Sequence, residues 1–263
     1  MNHSFCWRYL TWTALLWLIL SAPIRADEAF VFCFEKADVR PWRTADGGGL
    51  NIELLNRVAK KIGVTFAYRG MPWKRCLAEL KANRVNGAIG ASFKADRLEV
   101  GVYPGGNTPN IQKRLNNDRY IAMRRKGSPL QWDGKVFSQL DGSIGIQLGY
   151  SIGESLKIMG LPVDEGAQRA SELLLKLAAG RVAAAVLLEG EARYLLDREQ
   201  SLGEQLEIFP IPVADKAYFL MFSHPLVQTR RQMAERIWDS VEEIRNSSSY
   251  RKLERETLEK GLK

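Results

Sequence analysis

The chain has 263 residues, 38 Lys+Arg against 30 Asp+Glu for a net charge of +8, and 46% hydrophobic residues. That length suffices for one large domain or two smaller lobes, each with its own core. The basic excess does not read as a nucleic-acid or membrane-surface interface: acids and bases interleave, as in RKLERETLEK (251–260), and the only tight basic run is RRK at 124–126.

Residues 1–26 read as a cleaved secretory signal. Arg8 supplies a positive start, TWTALLWLILSA (11–22) is apolar, and IRA ends at Ala26 before Asp27. A membrane span needs about 20 apolar residues, so a permanent anchor is the weaker alternative. The expected compartment is the periplasm. Cys6 leaves with the signal, and Cys33 and Cys76 remain. In an oxidising compartment two cysteines invite a disulfide, the alternative being two buried free thiols.

AFVFCFE (29–35) reads as a buried strand. After the turn-rich TADGGG, the stretch LNIELLNRVAKKIG places Ile52, Leu55, Ala59 and Ile62 on one helical face, with Gly63 as its stop. VTFAY (64–68) is a strand. PWKRCLAELKAN is a helix opened by Pro72, with Trp73, Cys76 and Leu80 on one face, and VNGAIGA (85–91) is a third strand. The grammar repeats: strand SIGIQ (143–147), helix SIGESLKIMG (151–160), a short strand near Val163, helix ASELLLKLAAG (170–180) and strand VAAAVLL (182–188). Two βαβαβ units are separated by a Pro/Gly/Asn-rich insert (104–118). A strand AYFLMF (217–222) and two amphipathic helices (about 226–245 and 248–260) follow. The pattern predicts a two-lobed α/β protein.

Ligands of open α/β sheets sit beyond the carboxyl ends of the strands. Those ends carry Glu35, Trp73, Ser92 and Arg97 in the first unit, and Tyr150, Ser151 and Glu189 in the second. Arginine offers a planar fork to a carboxylate, serine another donor, and a helix starting near Ser151 its own N–H groups. Each residue has a plainer alternative: a surface pair with Asp96 or Glu99 for Arg97, core packing for Trp73, turn packing for Trp42. Catalysis finds little support. After the signal His224 is the one histidine, and no HExxH, paired CxxC or phosphate-cradling loop occurs. No catalytic residue, metal or cofactor is expected.

Several blocks resemble the type II periplasmic solute-binding proteins of extracellular family 3, which serve polar amino acid importers. They are RPW (40–42), GLNIELLNRVAKKIG (49–63), MPWKRCLAELKANRVNGAIGASFKADR (71–97), SIGIQLGYSIGESL (143–156) and LKLAAGRVAAAVLLEGEA (175–192). The resemblance implies the two-lobed type II fold, each lobe a mixed sheet flanked by helices. Lobe 1 would comprise 27–125 and 214–263, lobe 2 residues 126–213, with hinge strands near 120–125 and 212–218. The pairing of FCFE with PWKRC is similar to a subgroup that carries both cysteines, which supports a Cys33–Cys76 bond.

The family's carboxylate arginine falls on Arg97, its serine on Ser92, its second-lobe hydroxyl on Ser151 and its stacking aromatic on Trp73, with Trp42 a weaker match. Its first-strand carboxylate, which helps hold the ligand's ammonium, falls on Glu35 if one residue is inserted after it. Its second-lobe aspartate falls on Leu188, and Glu189 follows it, so capture of an ordinary α-amino group is the less secure part of the expectation. The expectation is a monomeric periplasmic protein that captures a small carboxylate-bearing solute, amino acid or relative, for an inner-membrane ABC permease. The alternatives are a ligand sensor read by a membrane receptor, and an exported dehydratase-type lyase.

Overall fold

The computed structural model describes residues 29–261; the expected signal segment, 1–26, lies outside them. Among the described residues no helix is long and apolar enough to cross a membrane.

Strand β1 (Phe30–Glu35), helix α1 (Leu50–Ile62), strand β2 (Phe66–Met71), helix α2 (Trp73–Lys81) and strand β3 (Gly87–Ser92) form the first unit. Its strands are parallel in the order β2-β1-β3. Helix α1 stops at Gly63, whose left-handed φ of 73° lets its N–H return to Ala59 O. The face turned inward carries Ile52, Leu54, Leu55, Val58 and Ile62. They pack with Phe32, Phe222 and Trp238 in the core of lobe 1. On the other side of β1, Cys33 and Cys76 are joined in a disulfide that ties the strand to α2.

After two short 3-10 turns comes β4 (Asn116–Arg125), then a small hairpin of β5 (Gln131–Trp132) and β6 (Phe137–Ser138). The second unit follows: β7 (Ile144–Gln147), α3 (Ile152–Ile158), β8 (Val163–Ala167), α4 (Ala170–Ala178) and β9 (Ala184–Leu188). β8 and β9 both run parallel to β7, which lies between them, repeating the arrangement of the first unit. Leu173, Leu174 and Leu177 of α4 lie buried against Leu187 on one face of this sheet, and Ile144, Ile146 and Val186 pack on the other.

Helices α5 (Glu189–Arg198) and α6 (Gln200–Gln205) and strand β10 (Leu206–Ile208) lead to β11 (Ala214–Phe222). Two antiparallel strands, β4 and β11, join the lobes. β11 pairs with β3 from Tyr218 to Phe222 and with β4 from Ala214 to Tyr218. β4 passes to β9 from Tyr120 to Met123. β11 changes partner at Tyr218 and β4 at Tyr120. Helices α7 (His224–Thr229), α8 (Arg231–Asn246) and α9 (Ser248–Gly261) return to lobe 1. Trp238 Nε1 donates to Leu220 O at 2.8 Å and Tyr250 Oη to Leu50 O at 3.0 Å, which anchors α8 and α9 there.

Candidate functional site

The carboxyl ends of β1, β3 and β9 and the loop after β7 converge between the lobes on a cavity of about 20 Å³. Glu35, Trp73, Ser92 and Arg97 line it from lobe 1, and Tyr150, Ser151 and Leu188 from lobe 2. Arg97 is 4% exposed, so it is no surface pair with Asp96 or Glu99. Its Nη1 donates to Ser92 O at 2.7 Å, and its Nη2 crosses the cleft to Gly149 O at 2.9 Å. Its guanidinium carbon lies 5.4 Å from the centre of the Trp73 ring, within cation–π range. The hydroxyls of Ser92 and Ser151 meet across the lobes at 2.7 Å. Ser151 stands just before α3 but makes no side-chain cap, so its hydroxyl faces lobe 1.

Trp73 has both expected aspects: it belongs to the buried cluster around Cys33 and Cys76, and one edge lines the cavity. Glu35 is committed to the backbone. Its Oε2 accepts from Trp73 N at 2.8 Å, at the start of α2, and its Oε1 from Ala37 N at 3.1 Å. The Tyr150 hydroxyl is buried with no hydrogen-bond partner. Burial, reinforced by the negative Glu191 and Glu35, pushes it well above the usual phenol range.

Two expected residues lie elsewhere. Trp42 and Glu189 line a charged groove of about 910 Å³ at the hinge, beside Arg119 and Arg193. Glu189 opens α5 directly after β9, so it leaves the strand before its side chain can turn inward. It is held by Arg119 at 2.6 Å and Arg193 at 2.8 Å. The groove is far larger than the central cavity, and of its charges Glu189 is the one paired with both Arg119 and Arg193. The buried, convergent donors are at the cavity. His224 is remote from both, with Nε2 3.0 Å from Leu98 O.

The structure adds residues the sequence did not single out. Arg43, 4% exposed, and Gly90, Tyr120 and Tyr218 complete the cavity wall. Lys216 of β11 donates to Ser151 O at 3.1 Å and Ser155 Oγ at 3.2 Å, tying the hinge strand to α3. Burial, and then the neighbouring Arg97 charge, lower its affinity for a proton. Glu191 is 2% exposed; its Oε1 accepts from Gln147 Nε2 at 3.0 Å and its Oε2 has no partner. Burial raises its carboxyl to about 8, so it is largely protonated at neutral pH. Asp118, whose Oδ2 is buried and unpartnered, is raised by burial to about 7. Among the described residues no cluster of His, Cys, Asp and Glu is placed to hold a metal ion.

Neither protein-family models nor curated proteins match the sequence. Solved structures do. A histidine kinase sensor domain with similarity to periplasmic binding proteins superposes with a TM-score of 0.69 at 19% identity, over 89% of this chain and 97% of its own. The substrate binding protein of an amino acid ABC transporter gives 0.66 at 20% identity, over 88% and 99%. The amino acid ABC transporter substrate-binding protein AbpA of Streptococcus pneumoniae, bound to L-arginine, gives 0.68 at 16% identity, over 89% and 96%. Two of these neighbours are substrate-binding proteins and one is a sensor domain, and the likeness at such identities is one of fold: the chain has the two-lobed type II periplasmic binding protein fold.

Proposed function

We propose that this chain captures a small carboxylate-bearing solute, an amino acid or a relative, in the cleft between its lobes. It would do so in the periplasm, after loss of residues 1–26, and deliver the solute to an ABC importer. The observation that carries this reading is Arg97: a buried guanidinium at the interlobe seam, donating to a carbonyl of each lobe, with Ser92 and Ser151 hydroxyls in contact beside it. A carboxylate entering the seam would take the place of the Gly149 carbonyl on Nη2 and accept from both hydroxyls. It would thereby bridge the lobes. A ligand held from both sides binds the closed arrangement better than the open one and shifts the population towards it. The crossing strands β4 and β11 are the natural hinge.

The fold is also that of a histidine kinase sensor domain, which supports a second reading: the same cleft, with closure read by a membrane receptor. Titration of the refolded mature chain with amino acids, keto acids and dicarboxylates, followed by thermal midpoint, tests the binding step common to both. A ligand at 100 times its dissociation constant adds about 2.7 kcal/mol. The reading requires at least one carboxylate to raise the midpoint of the native sequence and not of Arg97→Ala. Equal shifts in both proteins would remove Arg97 from the account. Co-purification with a permease or with a receptor kinase then separates importer from sensor.

A further inference from the structure

The cavity that holds Arg97 contains a second guanidinium which the carboxylate reading leaves unused. Arg43 follows β1 in a turn closed by reciprocal backbone bonds between Val39 and Arg43, both 2.9 Å. It is 4% exposed and lines the same cavity. Its Nε has no hydrogen-bond partner. Among the described residues no carboxylate lies within ion-pair distance of it, although sixteen other pairs form. A buried charge without a partner is costly.

The chain also gives up regular structure to accommodate it. Gly90 has a left-handed φ of 78° and sits at an irregularity of β3, where β11 pairs with Ala91 and then Ile89. A Cβ on Gly90 would fall 1.7 Å from Arg43 Nη1. Only glycine leaves room for the guanidinium at this wall. Around it, the hydroxyls of Tyr150 and Tyr218 are buried, unpartnered and on the same lining.

We infer that Arg43, with Tyr150 and Tyr218, forms a second anion subsite, and that the solute is a compact dianion, a dicarboxylate, held at one end by Arg97 and at the other by Arg43. It enters when the lobes part, since the closed cavity of about 20 Å³ has room for little more than a water. The inference rests on the cleft reading above and narrows its substrate class. It also accounts for the surroundings of the missing second-lobe aspartate. Leu188 presents an apolar wall, and Glu35 has both oxygens engaged by backbone N–H groups. Glu191, the nearby alternative acid, is held protonated by burial. An ammonium finds a repelling guanidinium, whereas a second carboxylate finds a cation on which Asp118 and Glu191 act only through space, without an ion pair.

The test is calorimetric titration of the mature chain with dicarboxylates from succinate to adipate, each against the monocarboxylate of equal length from butyrate to hexanoate. The native protein should prefer one dicarboxylate over its match by about 10- to 100-fold, the worth of one charged hydrogen-bonded group. Arg43→Met should weaken that dicarboxylate by a factor about 10- to 100-fold larger than any change in its monocarboxylate match. Arg43→Lys should keep part of the preference. Thermal midpoints without ligand establish that the variants fold, and the preference of the native protein is readable even if one does not. Equal affinities for the two series in the native protein, or a uniform loss across both in Arg43→Met, would overturn the subsite. A monocarboxylate that binds natively and is lost in Arg97→Ala alone would leave the cleft reading standing without it. If no member of either series binds, the subsite falls, while the cleft reading is decided by the amino acid and keto acid titration above.

Discussion

Glu191 gives the account a stability test independent of any ligand. Its carboxyl is raised from the usual 4.5 to about 8, first by burial, with the Gln147 amide and Arg43 offsetting part of that burial. A folded value above the unfolded one means that the folded chain holds a proton the unfolded chain has already released. The stability contributed is therefore fully present below pH 4.5 and is lost as pH rises through 8. One pKa unit corresponds to about 1.4 kcal/mol, so ionising Glu191 in place costs on the order of 4–5 kcal/mol. Glu191→Gln keeps the acceptor for Gln147, fills the same space and cannot ionise. Asp118, raised by burial to about 7, slopes the same way and is present in both proteins, so only its through-space coupling to Glu191 enters their difference. Urea unfolding at pH 5, 7 and 9 should show the variant gaining on the native protein as pH rises, about two-thirds of the gain falling between 5 and 7 and the rest levelling off above 8. Parallel profiles across that range would refute the assignment of Glu191 as a buried, protonated acid.

Other outcomes follow from the same geometry. Reducing Cys33–Cys76, which spans 43 residues of sequence, should cost about 4 kcal/mol in the chain-entropy treatment; an unchanged thermal midpoint with reductant would show the bond to be incidental. Gly90→Ala forces a left-handed φ and displaces Arg43, and should cost about 1–3 kcal/mol in urea unfolding. Glu189→Gln, by contrast, removes only rim ion pairs with Arg119 and Arg193, worth at most about 1 kcal/mol. It should leave ligand affinity unchanged, and a tenfold loss would return Glu189 to the site.

The two βαβαβ units were legible because their central strands are buried on both faces and their helices show one apolar stripe. The reading was weakest at the sheet's ends. β2 reaches Met71 through the exposed Arg69 and Gly70, and β8 extends through the polar Asp164 and Glu165. Both are edge strands, where one side is wet and the apolar signal fades. The segment from Glu189 to Val213, left without elements, holds α5, α6 and β10. α5 begins without any turn residue after β9, so no punctuation marked it.

The site divides along the same line. Glu35, Trp73, Ser92, Arg97, Tyr150 and Ser151 follow strands, and the strand-end rule finds them. Arg43 and Glu191 are single charges in polar stretches, and only the tertiary fold buries them. Arg43 stands next to the RPW run that drew attention to Trp42, and Gly90 sits inside GAIGAS. Those two neighbours were the available signal, but reading it requires knowing that the two loops meet.

The central claim is that one carboxylate is held from both lobes. Its most direct measurement is the affinity of the best-binding carboxylate for the native chain, Arg97→Ala and Ser151→Ala, taken by calorimetry. The account predicts a loss of about 100-fold for the first, which removes a charged donor, and about tenfold for the second, a neutral hydroxyl from the opposite lobe. Native affinity in either variant would contradict it, and native affinity in both would move the ligand out of the interlobe seam.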